Sequence, residues 1–88
     1  MKEKHVILGV HVTDRLQRAG EVQRTLSEFG EHIKTRLGLH EVEDGRSSPN
    51  GLILLEFVGD DARCAEMTAK LAAIGGVEVK TMVFDHPA

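Results

Sequence analysis

The sequence contains no tryptophan, no tyrosine and only three phenylalanines among its 88 residues. Its core must therefore be aliphatic, and it lacks the aromatic platforms on which an RNA-recognition sheet stacks bases. A single cysteine, Cys64, cannot close an internal disulfide. That removes the usual staple of small secreted domains and fits a reducing cytoplasm. Positive charge is in short supply too. Eleven Lys and Arg against fourteen Asp and Glu give a formal net charge of -3, so the long-range field does not attract phosphate backbones and no nucleic-acid partner is expected. The apolar run from Val6 to Val12 is too short and too mixed for a signal peptide or a membrane span. No membrane association is expected.

What is present is one domain's worth of alternating aliphatic pattern. A chain of this length is expected to fold as a single unit over residues 1–88, burying roughly 60 to 65 per cent of its unfolded surface. From His5 to Val12, residues Val6, Leu8, Val10 and Val12 fall on one parity and His5, Ile7, Gly9 and His11 on the other, which predicts a strand. Thr13 or Asp14 can cap a following helix, with Gln17 placed for a capping box. Leu16, Ala19, Val22, Leu26 and Phe29 recur at helical spacing until Gly30.

A second, half-buried strand is expected from His32 to His40, with Ile33, Leu37 and Leu39 on its apolar side and His32, Lys34, Arg36 and His40 on its polar side. Residues Glu41 to Gly51 hold most of the turn formers, and a long, mobile hairpin loop is expected there. Leu52 to Val58 is apolar at both parities apart from Glu56, the mark of a strand covered on both faces. Asp60 or Asp61 caps a second helix with Cys64, Met67, Leu71 and Ile74 in one stripe, ended by Gly75-Gly76. Val77 to Phe84 alternates as a last strand.

The order βαββαβ predicts an α+β, ferredoxin-like fold: a four-stranded antiparallel sheet with both helices on one face. Strands one and three then lie in the middle. The other face carries Ile7, Gly9, one parity of strand three, Met82 and Phe84, and an exposed apolar patch of that kind marks an interaction site. A homo-oligomer, dimer or tetramer, through this open face is the expected assembly, with a partner protein as a further expectation.

No catalytic residue is assigned. The chain shows no Gly-rich phosphate loop, no Ser or Cys in a nucleophile setting, and no paired His on one helix face. Asp60-Asp61 and Glu41-Glu43 read as a cap and a solvated hairpin. Five histidines raise the question of metal. His5 and His11 share a face but stand about 20 Å apart at about 3.3 Å per residue. His11 and His40, with strand three between them, are about 9.6 Å apart at about 4.8 Å per strand. No metal site is assigned and no cofactor is identified. His11, Arg36 and His40, near one end of the sheet, are the candidate ligand-binding residues of a small-ligand or transition-metal sensor. A small ferredoxin-like-fold enzyme of the monooxygenase or isomerase type is the remaining alternative.

Asp14-Arg15, then Val22, Leu26, Phe29, Ile33 and Arg36-Leu37-Gly38, with Ile53 to Phe57 and the close Lys70-Leu71, Ile74, Gly76-Val77 and Val79-Lys80-Thr81, form a longer pattern. It resembles the iron-only hydrogenase system regulators over nearly the whole chain. Arg36-x-Gly38 and the Gly-Val-x-Val-Lys-Thr ending are its most specific parts, and neither is a catalytic signature. That family is similar in fold to ACT-like domains and to the C-terminal domain of nickel-responsive repressors. The resemblance implies a non-enzymatic, ferredoxin-like regulatory or accessory subunit that oligomerises and binds a ligand or a protein. Two departures shape the expectation. The ribbon-helix-helix of the nickel repressors has no counterpart before the first strand, so regulation is expected to act through another protein or a ligand. Where ACT domains place Pro-Gly after Asp-Arg to admit an amino acid, this chain has Leu16-Gln17.

Overall fold

The computed structural model describes residues 4–13, 15–43 and 46–85, with side chains described throughout except at 15, 16, 39–43 and 46–50. Strand β1 (Lys4–Val12) leads into helix α1 (Arg15–Glu28), a 3-10 turn (Gly30–His32), strand β2 (Ile33–Glu43), strand β3 (Arg46–Phe57), helix α2 (Asp61–Ala72) and strand β4 (Val77–Asp85). The sheet order is β2-β3-β1-β4, with every neighbouring pair antiparallel. This is the expected βαββαβ arrangement.

The parity of β1 decides which face is the core. Val6, Leu8, Val10 and Val12 are all buried, and in register beside them stand Phe57, Leu55 and Ile53 of β3. Val22, Leu26 and Phe29 of the first helical segment and Met67, Leu71 and Ile74 of the second close over this aliphatic layer. Phe29 has no exposed surface, and the Arg63 guanidinium lies 4.4 Å from its ring centre. The ion pair of Lys70 with Glu28 ties the two helices together beside it.

Two connections are fixed locally. Asp60 caps α2 by accepting from the Arg63 N–H at 2.8 Å, which decides between the two candidate aspartates. Just before it, Gly59 adopts φ +141°, and a Cβ there would sit 2.6 Å from His32 Nδ1. That imidazole stacks on Phe57 with ring centres 5.3 Å apart and donates from Nδ1 to the Val58 carbonyl at 3.0 Å.

Two expectations are corrected in β2 and β3. The hairpin has no long loop: Glu43 stands opposite Arg46, leaving two residues, 44 and 45, between the strands. Asp-Gly is the dipeptide that so short a connection favours. The other turn formers, Ser47 to Asn50, run within β3, and the register shift between His40 and Val42 takes up their irregularity. Beyond Gly51 the two strands pair only with each other, so they leave the four-stranded sheet as a ribbon. The second correction concerns phase. A register shift between Ile33 and Thr35 makes Lys34 an extra residue, so Ile33 packs against the core while Leu37 pairs with Leu54 on the opposite face. Leu37 is therefore 53 % exposed.

Candidate functional site

The face of the sheet away from the helices carries exposed apolar side chains that the core does not use. Alternation places Ile7 and Gly9 of β1, Leu52 and Leu54 of β3, Met82 and Phe84 of β4 and, through the shift at Lys34, Leu37 of β2 on this face. Leu37, Met82 and Phe84 are each more than half exposed, and Leu54 is 36 % exposed. A soluble monomer rarely keeps so many contiguous apolar side chains in water.

Polar groups interrupt this face at two places. At one, His5 and Glu56 meet with Nδ1 and Oε2 2.6 Å apart. The His5 hydrogen bond holds the Glu56 carboxyl below the ordinary carboxylate range, burial opposes it, and the positive charge of Lys34 assists. At the other, His11 lies in register with Glu78 on one side and Leu52 on the other, and Lys80 is opposite Gly9.

The ligand-binding candidates do not share a face in a simple way. His11 takes the phase of Leu52, on the open side. Arg36 is opposite Leu55, in the helix-side phase, and its side chain is exposed at the edge strand. His40 is opposite Gly51, one residue out of phase with Leu52, and its side chain lies outside those described. Strand β3 separates His11 from the other two. Among the described residues, no three His, Cys, Asp or Glu side chains gather where they could hold one ion.

On the helix side, α2 and the edge strand β4 enclose a groove of about 530 Å³, with Ala65, Thr68 and Ala69 along one wall and Val83 along the other. Cys64 lines it. Burial pushes its thiol up, against a hydrogen bond with Thr68 that lowers it, so the sulfur is held as the thiol and not as a nucleophilic thiolate. The Lys4–Asp61 ion pair, at 2.7 Å, borders the groove.

Sequence reasoning missed Leu37 as a member of the open face. Its apolar spacing from Ile33 points inward, and only the extra residue at 34 reverses it. Gly9 was on the predicted face, but no motif marks it. No described helix is long and apolar enough to cross a membrane.

Comparison with known proteins supplies the family. Residues 4–81 match the TM1266-like family, described as "Iron-only hydrogenase system regulator, putative". The uncharacterized protein TM1266 from Thermotoga maritima is 32% identical, with a TM-score of 0.78 over 92% of this chain and 98% of that one. A dimeric ferredoxin-like protein from an uncultured marine organism is 11% identical, with a TM-score of 0.55 over 100% of this chain and 98% of its own. A formyltetrahydrofolate deformylase from Pseudomonas putida KT2440 is 19% identical, with a TM-score of 0.56 over 89% of this chain and 28% of the enzyme. These last two likenesses show the fold alone. No protein of curated function matches the chain. With the fold, the closing Gly-Val-x-Val-Lys-Thr and the match over residues 4–81 in agreement, the chain belongs to the TM1266-like family of iron-only hydrogenase system regulators.

Proposed function

We propose that this chain is a regulatory subunit that works by association, without catalysis of its own, and that it associates with a second copy of itself through the open face of its sheet. The observation that carries this reading is the run of exposed apolar side chains, Leu37, Leu54, Met82 and Phe84, on a sheet whose opposite face already completes the core. A neighbour of the same fold is described as dimeric, which gives a precedent for pairing in this architecture. The family description supports the regulatory role.

Size sets the strength expected. Four strands at about 4.8 Å and the six residue steps from His5 to His11 at about 3.4 Å give a flat footprint of roughly 400 Å². A standard interface removes about 800 Å² of accessible surface from each partner. The pairing is therefore expected to be weak and to depend on concentration. The helical layer and the α2–β4 groove stay outward in such a dimer, where a partner protein or a ligand would meet them. Light scattering or equilibrium sedimentation tests the reading: a dimer at tens of micromolar that dissociates on dilution is expected, along with its loss in Leu54→Lys while circular dichroism stays unchanged. A parent chain that remains monomeric at tens of micromolar refutes it.

A further inference from the structure

The open face is patterned more finely than a hydrophobic patch requires. Its apolar side chains form a diagonal band, from Phe84 and Met82 at one corner through Ile7 to Leu54, Leu37 and Leu52 at the opposite corner. The two remaining corners are polar, and the charge next to the band is a carboxylate, Glu56, at one and an ammonium, Lys80, at the other. One holds Glu56, bonded to His5, with Thr35 in register beside it and Lys34 near enough to act on the carboxylate. The other holds Lys80, with Glu78 and His11 one step along the strands. Among the described residues Lys80 has no ion pair within its own chain, whereas Lys4 and Lys70 do.

Gly9 lies between the band and the Lys80 corner. A Cβ at this position would meet only Leu54 Cδ2, at 3.8 Å, an ordinary contact, and its φ is not in the left-handed region. Nothing inside the chain requires glycine in the middle of this central strand, where it weakens the strand. A bare backbone at such a place admits the close approach of an outside group.

Two identical sheets packed face to face are related by a two-fold axis lying in the plane between them. Two directions of that axis cover the apolar band with itself. With the axis across the band, each polar corner falls on its own copy, carboxylate on carboxylate and ammonium on ammonium. With the axis along the band, each polar corner falls on the other kind. At a strand spacing of about 4.8 Å and about 6.8 Å per two residues, Glu56 then lands between Gly9 and Lys80 of the second copy, within reach of a lysine side chain. Glu78 is carried toward the outer edge near Thr35. Apolar cover does not distinguish the two axes; charge does, because like charges set face to face oppose association.

We infer that the chain pairs about a two-fold axis running along the band from Phe84 to Leu52, with Glu56 of each protomer meeting Lys80 of the other above the bare backbone of Gly9. This rests on the self-association proposed above and specifies its geometry.

Charge exchange tests it. Glu56→Lys and Lys80→Glu each place like charges at both symmetric contacts, so each variant alone is expected to raise the dimer dissociation constant at least tenfold in sedimentation velocity. An equimolar mixture of the two variants makes both contacts complementary again, and dimers of near-parental strength are expected to return. Thermal melts by circular dichroism establish that each variant is folded. Gly9→Ala supplies an uncharged control: a Cβ there meets only Leu54 at 3.8 Å, so the fold is retained, while the added methyl is expected to weaken pairing. Single variants that dimerise like the parent, or a mixture that stays as weak as its components, overturn the inferred axis. If Leu54→Lys still dissociates the parent dimer, the axis fails and the sheet-face dimer stands. A monomeric parent removes both.

Discussion

Leu54 and Leu55 are neighbours with the same side chain on opposite faces of β3, so truncating each in turn measures the two faces against each other. Leu55 is 2 % exposed and stands in register with Leu8, which is fully buried under the helices. Leu55→Ala removes the buried isobutyl contacts and leaves a cavity that the aliphatic layer can close only in part, at a cost of about 2–5 kcal/mol. For a domain of this size each kcal/mol moves the melting temperature by roughly 4–8 °C, so a loss near 3 kcal/mol lowers it by roughly 12–24 °C. Leu54 is 36 % exposed and opens onto solvent in the single chain. Truncating it leaves no closed cavity, and a cost of about 1 kcal/mol or less is expected. Urea unfolding followed by circular dichroism, at concentrations low enough for the chain to be monomeric, measures both without the mass-action contribution of a dimer. At tens of micromolar the two variants should draw closer, because Leu54→Ala then also loses the stabilisation that pairing provides. Equal losses at low concentration would refute the assignment of faces on which the proposed function depends.

Three further outcomes follow from single sites. Gly59→Ala forces a Cβ to within 2.6 Å of His32 Nδ1 at φ +141°, and should destabilise the chain by about 1–3 kcal/mol in the same urea assay. The folded-state value of Glu56 is depressed from its ordinary 4.5, so the stabilisation it gives is complete above that value and is lost as pH falls through the lower folded one. Glu56→Gln should therefore remove part of the decline in stability on the acid side of pH 4.5, as read by unfolding titrations at successive pH values. Cys64, half-covered and with its thiol pushed up by burial, should react with a disulfide reagent at least tenfold more slowly in the native chain than in urea.

Most of the fold was legible because its signals are local and periodic. The alternation in β1 and β4 marks both faces, and the double apolar parity of β3 points to a second surface. Asp60 and Asp61 were indistinguishable in sequence, since either can cap; the hydrogen bond to the Arg63 N–H separates them. The phase of strand β2 beyond Ile33 is not legible in its alternation, because a two-residue period carries no record of an extra residue. Ser, Pro, Asn and Gly favour turns on average and so suggest a loop in the hairpin, while pairing with β2 holds this stretch extended. The open face was visible as composition, but its diagonal layout was not. That layout depends on how four strands align, and alignment is a property of the sheet rather than of any one segment.

The extra residue at Lys34 makes the difference between a subunit with a narrow apolar strip and one whose strip reaches the far edge of the sheet. Deleting Lys34 would leave Thr35 opposite Glu56 and Leu37 opposite Leu54, because the irregularity already absorbs that residue, whereas an irregularity formed beyond Leu37 would turn Leu37 inward and bring Arg36 onto the open side. The place at which β2 gives up a residue, rather than the number of residues it has, thus decides how sociable the protein is without altering its fold. A shift of that irregularity along β2 among family members is where differences in assembly should first be sought.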